Sequence, residues 1–136
     1  MLRFAAQHAD IVGVNVALAA EPDEASARDA LPASIDEKFR RMRTDAGERF
    51  DDLEFNAWLT VCRVTDEAQS LGERLSGKFG APAEEVLASP LILAGTIEEM
   101  ADRLETSRAR WGYSYFTVQQ PAIDDFAPVV AALTGS

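Results

Sequence analysis

Apolar residues along this chain follow two spacings, one typical of helices and the other of strands. Spacings of three and four predict helices over residues 2–9, 35–46, 68–79, 82–87, 97–111 and 121–134. Short β-branched or alternating runs predict strands over residues 11–16, 53–64 and 113–119, with a brief extended segment at 91–95. This alternation favours an α/β fold whose parallel strands are joined by right-handed helical crossovers.

The clearest strand pattern covers residues 53–64. One face of this predicted strand is apolar and carries Leu53, Phe55, Ala57, Leu59 and Val61. The other face carries Glu54, Asn56, Trp58, Thr60 and Cys62. Such alternation is typical of a strand whose two faces meet different surroundings.

Local signals predict where several elements begin and end. Ser34 with Glu37, and Thr96 with Glu99, have the spacing of a capping box at a helix start. Glycines after the apolar stripes predict left-handed helix ends, at Gly47, Gly80 and Gly112. Residues 17–33 lack a periodic pattern and predict a long loop with at most one helical turn.

Composition and charge exclude several classes of protein. The 136 residues are 47% hydrophobic and 26% charged, as expected for one folded domain over residues 1–136. A formal net charge of -10 argues against nucleic acid and anionic membrane surfaces as partners. With one cysteine and one histidine, the chain offers neither an internal disulfide nor a zinc ligand set. We find no signal peptide and no bilayer-spanning apolar run, so we expect a cytoplasmic protein.

Four segments resemble luciferase-like flavin- and deazaflavin-dependent oxidoreductases, in the order expected for the C-terminal part of that family. Residues 2–13, LRFAAQHADIVG, resemble the segment that follows the family's glycine-rich phosphate loop. Residues 46–54, AGERFDDLE, are similar to a helix-to-strand junction of the coenzyme F-420-dependent branch. Residues 95–104, GTIEEMADRL, resemble the G-T/S-x-E-E-x-A-x-x-L helix of the wider superfamily. The ending, WGYSY with FAPVV, is similar to that of the F-420 branch.

This resemblance to the luciferase-like monooxygenase superfamily implies a (β/α)8 TIM barrel. It also implies hydride transfer between coenzyme F-420, or alternatively FMN, and a small organic substrate. A TIM barrel takes about 250 residues, so the resemblance implies an incomplete barrel of about three parallel strands with flanking helices. The family's glycine-rich loop and early strands have no counterpart here, and Met1 stands where the middle of a longer protein is expected. We therefore expect that this chain alone does not bind the cofactor.

An incomplete barrel has consequences for partners. In a whole barrel Trp58, Thr60 and Cys62 would point into the interior. In an incomplete barrel the strands on the opposite side of that interior are missing. We expect Trp58, Tyr113, Tyr115 and the edge strands to be partly exposed. A missing N-terminal half, or a second copy in a homo-oligomer, is the expected partner. The alternative is a non-catalytic fragment or split-enzyme subunit that acts through protein–protein interaction.

Three polar residues near predicted strand ends are candidate cofactor-binding residues, because TIM barrels place functional side chains there. The amide of Asn15 could contact a cofactor or substrate, or it is an ordinary turn residue. Arg63 could bind a phosphate or carboxylate, or it forms a surface ion pair. Gln119, like Gln120, could line a pocket mouth, or it is a polar loop residue. The sequence identifies no catalytic residue.

The remaining chemically suggestive residues have structural explanations. His8 lies at the end of a predicted helix, where a cation favours the helix dipole, and a Ser-His-Asp role is the alternative. Adjacent carboxylates such as Asp124 and Asp125 are typical of first helical turns rather than of glycosidase pairs. Cys62 is interpreted as a small core residue.

Basic residues concentrate in one part of this acidic chain. Helical spacing predicts that they spread around a solvated side and form local ion pairs such as Arg41 with Asp45. The cluster consists of Lys38, Arg40, Arg41, Arg43 and Arg49.

Overall fold

The computed structural model describes residues 1–16 and 23–134, and within them helices and parallel strands alternate. The helices are α1 (Leu2–His8), α2 (Glu24–Arg28), α3 (Pro32–Ala46), α4 (Ala68–Phe79), α5 (Ala83–Leu87), α6 (Ile97–Trp111) and α7 (Ile123–Thr134). The strands are β1 (Ile11–Gly13), β2 (Glu54–Trp58), β3 (Val61–Val64), β4 (Ile92–Gly95) and β5 (Tyr113–Thr117). Short 3-10 helices occupy Gly47–Asp52 and Gln120–Ala122.

The strands form two sheets, and every pairing is parallel, which confirms the predicted α/β class. The three-stranded sheet has the order β1-β2-β5, and the two-stranded sheet pairs β3 with β4. Within the described residues, the outer edges of β1 and β5 have no strand partner. The described part of the chain thus has five strands rather than about three, although three of them share one sheet.

One face of the three-stranded sheet is covered by helices and forms the main core. The strands contribute alternate residues to it, and α1, α3 and α6 pack over them. These core residues include Val12, Phe55, Ala57 and Tyr113 from the strands, and Ala6, Ile35, Phe39, Met42 and Trp111 from the helices. The Phe39 ring lies edge-on to Phe55 at 4.9 Å and to Tyr113 at 5.2 Å between ring centroids.

Tyr113 is fully buried, so the expectation that it is exposed was wrong. Phe55 is paired with Tyr113 and Asn56 with Tyr115, which leaves Ser114 as an extra residue in a β-bulge. The bulge puts Tyr113 on the covered face and Tyr115 on the opposite one. The Tyr113 hydroxyl donates to the Val14 carbonyl at 2.7 Å, so its burial leaves no polar atom unsatisfied.

Residues 53–64 do not form one continuous strand, and the predicted alternation holds over residues 53–60 but not in β3, where Val61, Cys62 and Val64 are all half-buried. The chain changes partners between β2 and β3. Leu59 N–H donates to the Thr117 carbonyl at 2.9 Å, whereas Thr60 N–H donates to the Leu91 carbonyl at 2.9 Å. Alternation is lost after this break because both faces of β3 are partly covered, with Val61 packed against the main core and Cys62 against a second cluster.

One face of the two-stranded sheet packs in a second hydrophobic cluster, whereas Ile92 and Val61 on its other face pack in the main core. The cluster consists of Leu59, Leu93, Met100, Leu104 and Val129. All four residues of β4 are buried, which explains why this segment is apolar throughout rather than alternating. The sequence pattern marked residues 91–95 only as an extended segment, and the structure makes most of it a strand.

One of the two predicted capping boxes is present. Thr96 Oγ1 accepts from Glu99 N–H at 3.2 Å, and Glu99 Oε2 accepts from Thr96 N–H at 2.8 Å. The box predicted at Ser34 is wrong, because α3 already begins at Pro32. Proline suits the first helical position, where its fixed φ is favourable and its missing N–H costs nothing.

The predicted loop over residues 17–33 is only partly described. Residues 17–22 lie outside the described residues. The rest contains α2, whose N-cap Asp23 accepts from Ser26 N–H at 2.8 Å, and the start of α3. The helical turn that the prediction allowed is present as α2, whereas residues 32 and 33 already belong to α3 and not to a loop.

Candidate functional site

The second face of the three-stranded sheet is exposed in the described part of the chain, and we call it the open face. Three large apolar side chains on it are accessible, with Ile11 at 52%, Trp58 at 36% and Tyr115 at 50% of their full exposure. Partial exposure was predicted for Trp58 and Tyr115, and the structure confirms it. The open face comprises Ile11, Gly13, Asn15, Glu54, Asn56, Trp58, Tyr115 and Thr117.

Asn15 lies two residues beyond β1, at the C-terminal end of the sheet. Its side-chain Oδ1 accepts a hydrogen bond from Trp58 N–H at 2.6 Å and so extends the pairing between β1 and β2. Its carbonyl oxygen accepts from Lys38 Nζ at 2.8 Å. Asn15 therefore has a structural role in addition to its candidate role in binding.

Lys38 does not belong to the solvated side of α3 as predicted. Its side chain is only 15% exposed, and besides the Asn15 carbonyl it contacts the carboxylate of Asp29. The predicted pair of Arg41 with Asp45 is also wrong, because Arg41 pairs with Glu37 at 2.8 Å. Lys38 thus fixes the main chain at the candidate residue Asn15.

Asn56 and Thr117 are polar residues of the open face that the sequence did not single out. Asn56 Nδ2 donates to the Tyr115 carbonyl at 3.1 Å and to Thr117 Oγ1 at 3.0 Å. The available signal was that Asn56 shares the polar face of its strand with Trp58. Its proximity to Asn15 depends on the register between β1 and β2, which the sequence pattern does not contain.

Gly13 leaves space between the two asparagine side chains. An added Cβ at this glycine would lie 2.9 Å from Asn15 Nδ2 and 3.8 Å from Asn56 Oδ1. Both amide groups therefore border the same point above the sheet. This point lies at the C-terminal ends of parallel strands, where α/β proteins bind their ligands.

Arg63 and Gln119 come together, away from Asn15, in a shallow depression of about 320 Å³. Thr60, Cys62 and Asp125 also line it. Among the described residues Arg63 has no ion-pair partner, so the surface ion pair expected as its alternative is absent there.

The acidic and sulfur groups of this depression are already constrained by the fold. Asp125 Oδ2 accepts from Val64 N–H at 3.0 Å. Burial, and secondarily the negative charge of Asp125, raises the pKa of the Cys62 thiol to about 11. A thiol with this pKa is a poor nucleophile at neutral pH. Cys62 was interpreted as a small core residue, but it is only half-buried, at the edge of the second cluster.

Other chemistry finds little support in the described residues. His8 lies in the last turn of α1, as predicted, and its ring packs against Phe4 with 4.6 Å between centroids. In residues 1–16 and 23–134, no three His, Cys, Asp or Glu side chains are grouped closely enough to hold a metal ion. None of the described helices has the length and apolar character needed to cross a bilayer.

Comparison with known proteins leaves the resemblance as an inference from the motifs themselves. No family model matches the chain, and the curated proteins contain no matching sequence.

Proposed function

We propose that this chain is the C-terminal part of a luciferase-like oxidoreductase that uses coenzyme F-420 or FMN, and that it forms part of an incomplete (β/α)8 barrel. The observation that carries the proposal is the three-stranded sheet. Its strands are parallel, its buried side chains all lie on one face, and both outer edges lack a strand partner among the described residues. Helices cover both faces of a doubly wound sheet, whereas in a barrel the helices cover only the outer face of the wall.

The structural roles of the resembling motifs support the proposal. In the AGERF segment, Gly47 has a φ of 58°, and Arg49 donates to the carbonyls of Ala6 and Ala9 at 3.3 and 3.1 Å. Arg49 thereby joins this segment to α1, which belongs to another resembling segment. In the GTIEE segment, Thr96 and Glu99 form the capping box that starts α6. The Arg49 contacts thus join two of the resembling segments, and the capping box stabilises the start of a third.

In such an oxidoreductase the cofactor and the protein have different roles. A flavin or deazaflavin supplies the hydride chemistry, and the protein binds and orients the ring and excludes water. The open face would contribute one wall of that site, and a segment outside this chain would contribute the phosphate loop. We propose a reducing, cytoplasmic setting, where the single thiol of Cys62 stays unpaired.

A fluorescence titration with F-420 and with FMN tests this function. The chain is titrated alone and after co-expression with the N-terminal half of an F-420-dependent luciferase-like barrel. We expect negligible binding alone and a complex that binds cofactor when both segments are present. A stable complex that binds neither cofactor would contradict the proposed function. A Trp58→Lys variant serves as the control. It places a charge on the open face, which should prevent the two segments from closing into a barrel.

The DNA upstream of the Met1 codon provides an independent test. A glycine-rich phosphate loop encoded there, in any reading frame, is the expected finding. Sequence without any such loop, together with failure of complementation, would favour a non-catalytic chain that acts through protein–protein interaction.

A protein-interaction role is the second candidate, and the accessible Ile11 and Tyr115 favour it. Exposed apolar groups beside unpaired strand edges promote association with another chain. We expect self-association in sedimentation velocity, reduced in the double variant Ile11→Lys/Tyr115→Lys. Val130→Lys, on the exposed side of α7, is the matched control and should not change it. A monodisperse wild-type monomer would count against a homo-oligomer.

A further inference from the structure

The side-chain amides of Asn15 and Asn56 are held in fixed orientations. Each bonds to a backbone group that can act only as a donor or only as an acceptor. The Trp58 N–H can bond only to an oxygen, so it fixes Oδ1 of Asn15 and leaves Nδ2 directed elsewhere. The Tyr115 carbonyl can bond only to a donor, so it fixes Nδ2 of Asn56 and leaves Oδ1. Among the described residues, neither Nδ2 of Asn15 nor Oδ1 of Asn56 has a hydrogen-bond partner.

These two atoms present a donor and an acceptor next to the same backbone position of the sheet. Both border the space above Gly13, at 2.9 and 3.8 Å from the position that a Cβ would take there. A ligand that satisfies both must present a carbonyl oxygen next to an N–H group. Carboxylates and phosphates present acceptors only, so they satisfy one atom and repel the other.

The surroundings favour a planar ligand. Trp58 and Tyr115 lie on the same face as Asn56, and both aromatic side chains are partly accessible. Aromatic rings bind planar heterocycles by stacking, and the hydrogen-bonding edge then fixes the orientation of the heterocycle. The absence of a side chain at Gly13 allows the Asn15 amide to lie close over the sheet, where it can meet such a ring edge.

We infer that the open face binds the cyclic amide or imide edge of a planar heterocycle through Asn15 Nδ2 and Asn56 Oδ1. The inference rests on the proposed function to the extent that flavin and deazaflavin rings carry an imide edge. A substrate with the same edge would fit equally well. The site itself lies on this chain and does not need the phosphate loop.

Small pyrimidines test the inference separately from cofactor binding. The 15N-labelled chain is titrated with 1-methyluracil, which keeps the imide N–H, and with 1,3-dimethyluracil, which lacks it, each up to about 20 mM. We expect 1-methyluracil to shift the side-chain amide signals of Asn15 and Asn56 and the dimethyl compound to bind about tenfold more weakly. Equal binding of both compounds, or no shift with either, would overturn the inference.

Two variants locate the site. Asn15→Asp keeps an oxygen for Trp58 N–H but removes the Nδ2 donor, so it should fold normally and lose about tenfold or more in affinity. Gly13→Ala should have a similar effect because its Cβ displaces the Asn15 amide. Gln7→Glu, on an exposed residue of α1 outside the site, adds the same charge and should bind like the wild type. An Asn15→Asp variant that folds and binds normally would contradict the assignment.

The source of the heterocycle is then decided in the complemented complex. Displacement of 1-methyluracil by FMN or F-420 would assign the edge to the cofactor ring, and simultaneous binding would assign it to the substrate. Failure of the cofactor titration with retained pyrimidine binding would reject the oxidoreductase and keep the site. Loss of pyrimidine binding with retained cofactor binding would keep the oxidoreductase and reject the site.

Discussion

The two faces of the three-stranded sheet come from the same alternating segments, yet they are stabilised in different ways. On the covered face, Phe39, Phe55 and Tyr113 pack ring against ring beneath α3. On the open face, Asn15 and Asn56 bond mainly to the backbone of neighbouring strands. Packing therefore carries the stability of the sheet, whereas the polar contacts of the open face fix the direction of groups that remain available for binding.

The largest expected difference between the faces concerns apolar truncation. Phe39→Ala removes a buried ring and leaves a cavity, so it should lower the free energy of unfolding by about 3–5 kcal/mol. Tyr115→Thr keeps a residue with high strand propensity on the open face, so it should change the free energy of unfolding by less than about 0.5 kcal/mol. Urea denaturation followed by circular dichroism measures both. Similar losses in the two variants would mean that the open face is also packed in solution.

A smaller effect should separate the two tyrosines of β5. Tyr113→Phe leaves the buried Val14 carbonyl without its hydroxyl donor and should cost about 1–3 kcal/mol of unfolding free energy. Tyr115→Phe removes a hydroxyl from the open face and should cost close to nothing. This pair also tests the bulge at Ser114, because without it both tyrosines would lie on one face and respond alike.

The smallest effect concerns the acid that joins the covering helices α3 and α6. Asp36 accepts from Arg110 at 2.6 Å and from Trp111 Nε1 at 2.8 Å. These hydrogen bonds, above all that of Arg110, hold the pKa of Asp36 below its ordinary value of 3.8, against the opposing effect of burial. The stabilisation that ionised Asp36 gives to the folded state is therefore fully present above pH 3.8. It is lost as the pH falls through the lower pKa that Asp36 has in the folded protein.

Stability measured as a function of pH checks this sign. In Asp36→Asn the unfolding free energy should fall less steeply between about pH 4 and pH 2 than in the wild type. Asp102→Asn, which alters an exposed acid of α6, should follow the wild-type profile. A wild-type profile as flat as that of Asp36→Asn would show that the contact with Arg110 does not persist in solution.

The fold was predictable wherever one local interaction decided the outcome. The apolar stripe of α6 and the capping box at Thr96 act over a few residues, and both were predicted. The pairing change after Leu59 and the bulge at Ser114 depend on neighbouring strands, so alternation alone could not reveal them. Ser34 had the right spacing for a capping box, but the preceding proline starts the helix earlier.

The candidate site was predictable in part for the same reason. Strand ends identified Asn15, Arg63 and Gln119, and the structure brings the last two together but separates Asn15 from them. Asn56 becomes relevant only through its register with Gly13, a contact between residues distant in sequence. The binding roles of all three candidates remain proposals for the titrations above.

The change of partners after Leu59 also bears on how this fold can vary. Thr60 N–H bonds to Leu91, and Thr65 N–H bonds to Gly95, so the parallel strands β3 and β4 are held together at both ends and α4 and α5 form the crossover between them. Because the register of β2 with β5 does not involve this crossover, we expect its length to vary while the three-stranded sheet is preserved. Among homologues, length variation should therefore accumulate around α4 and α5.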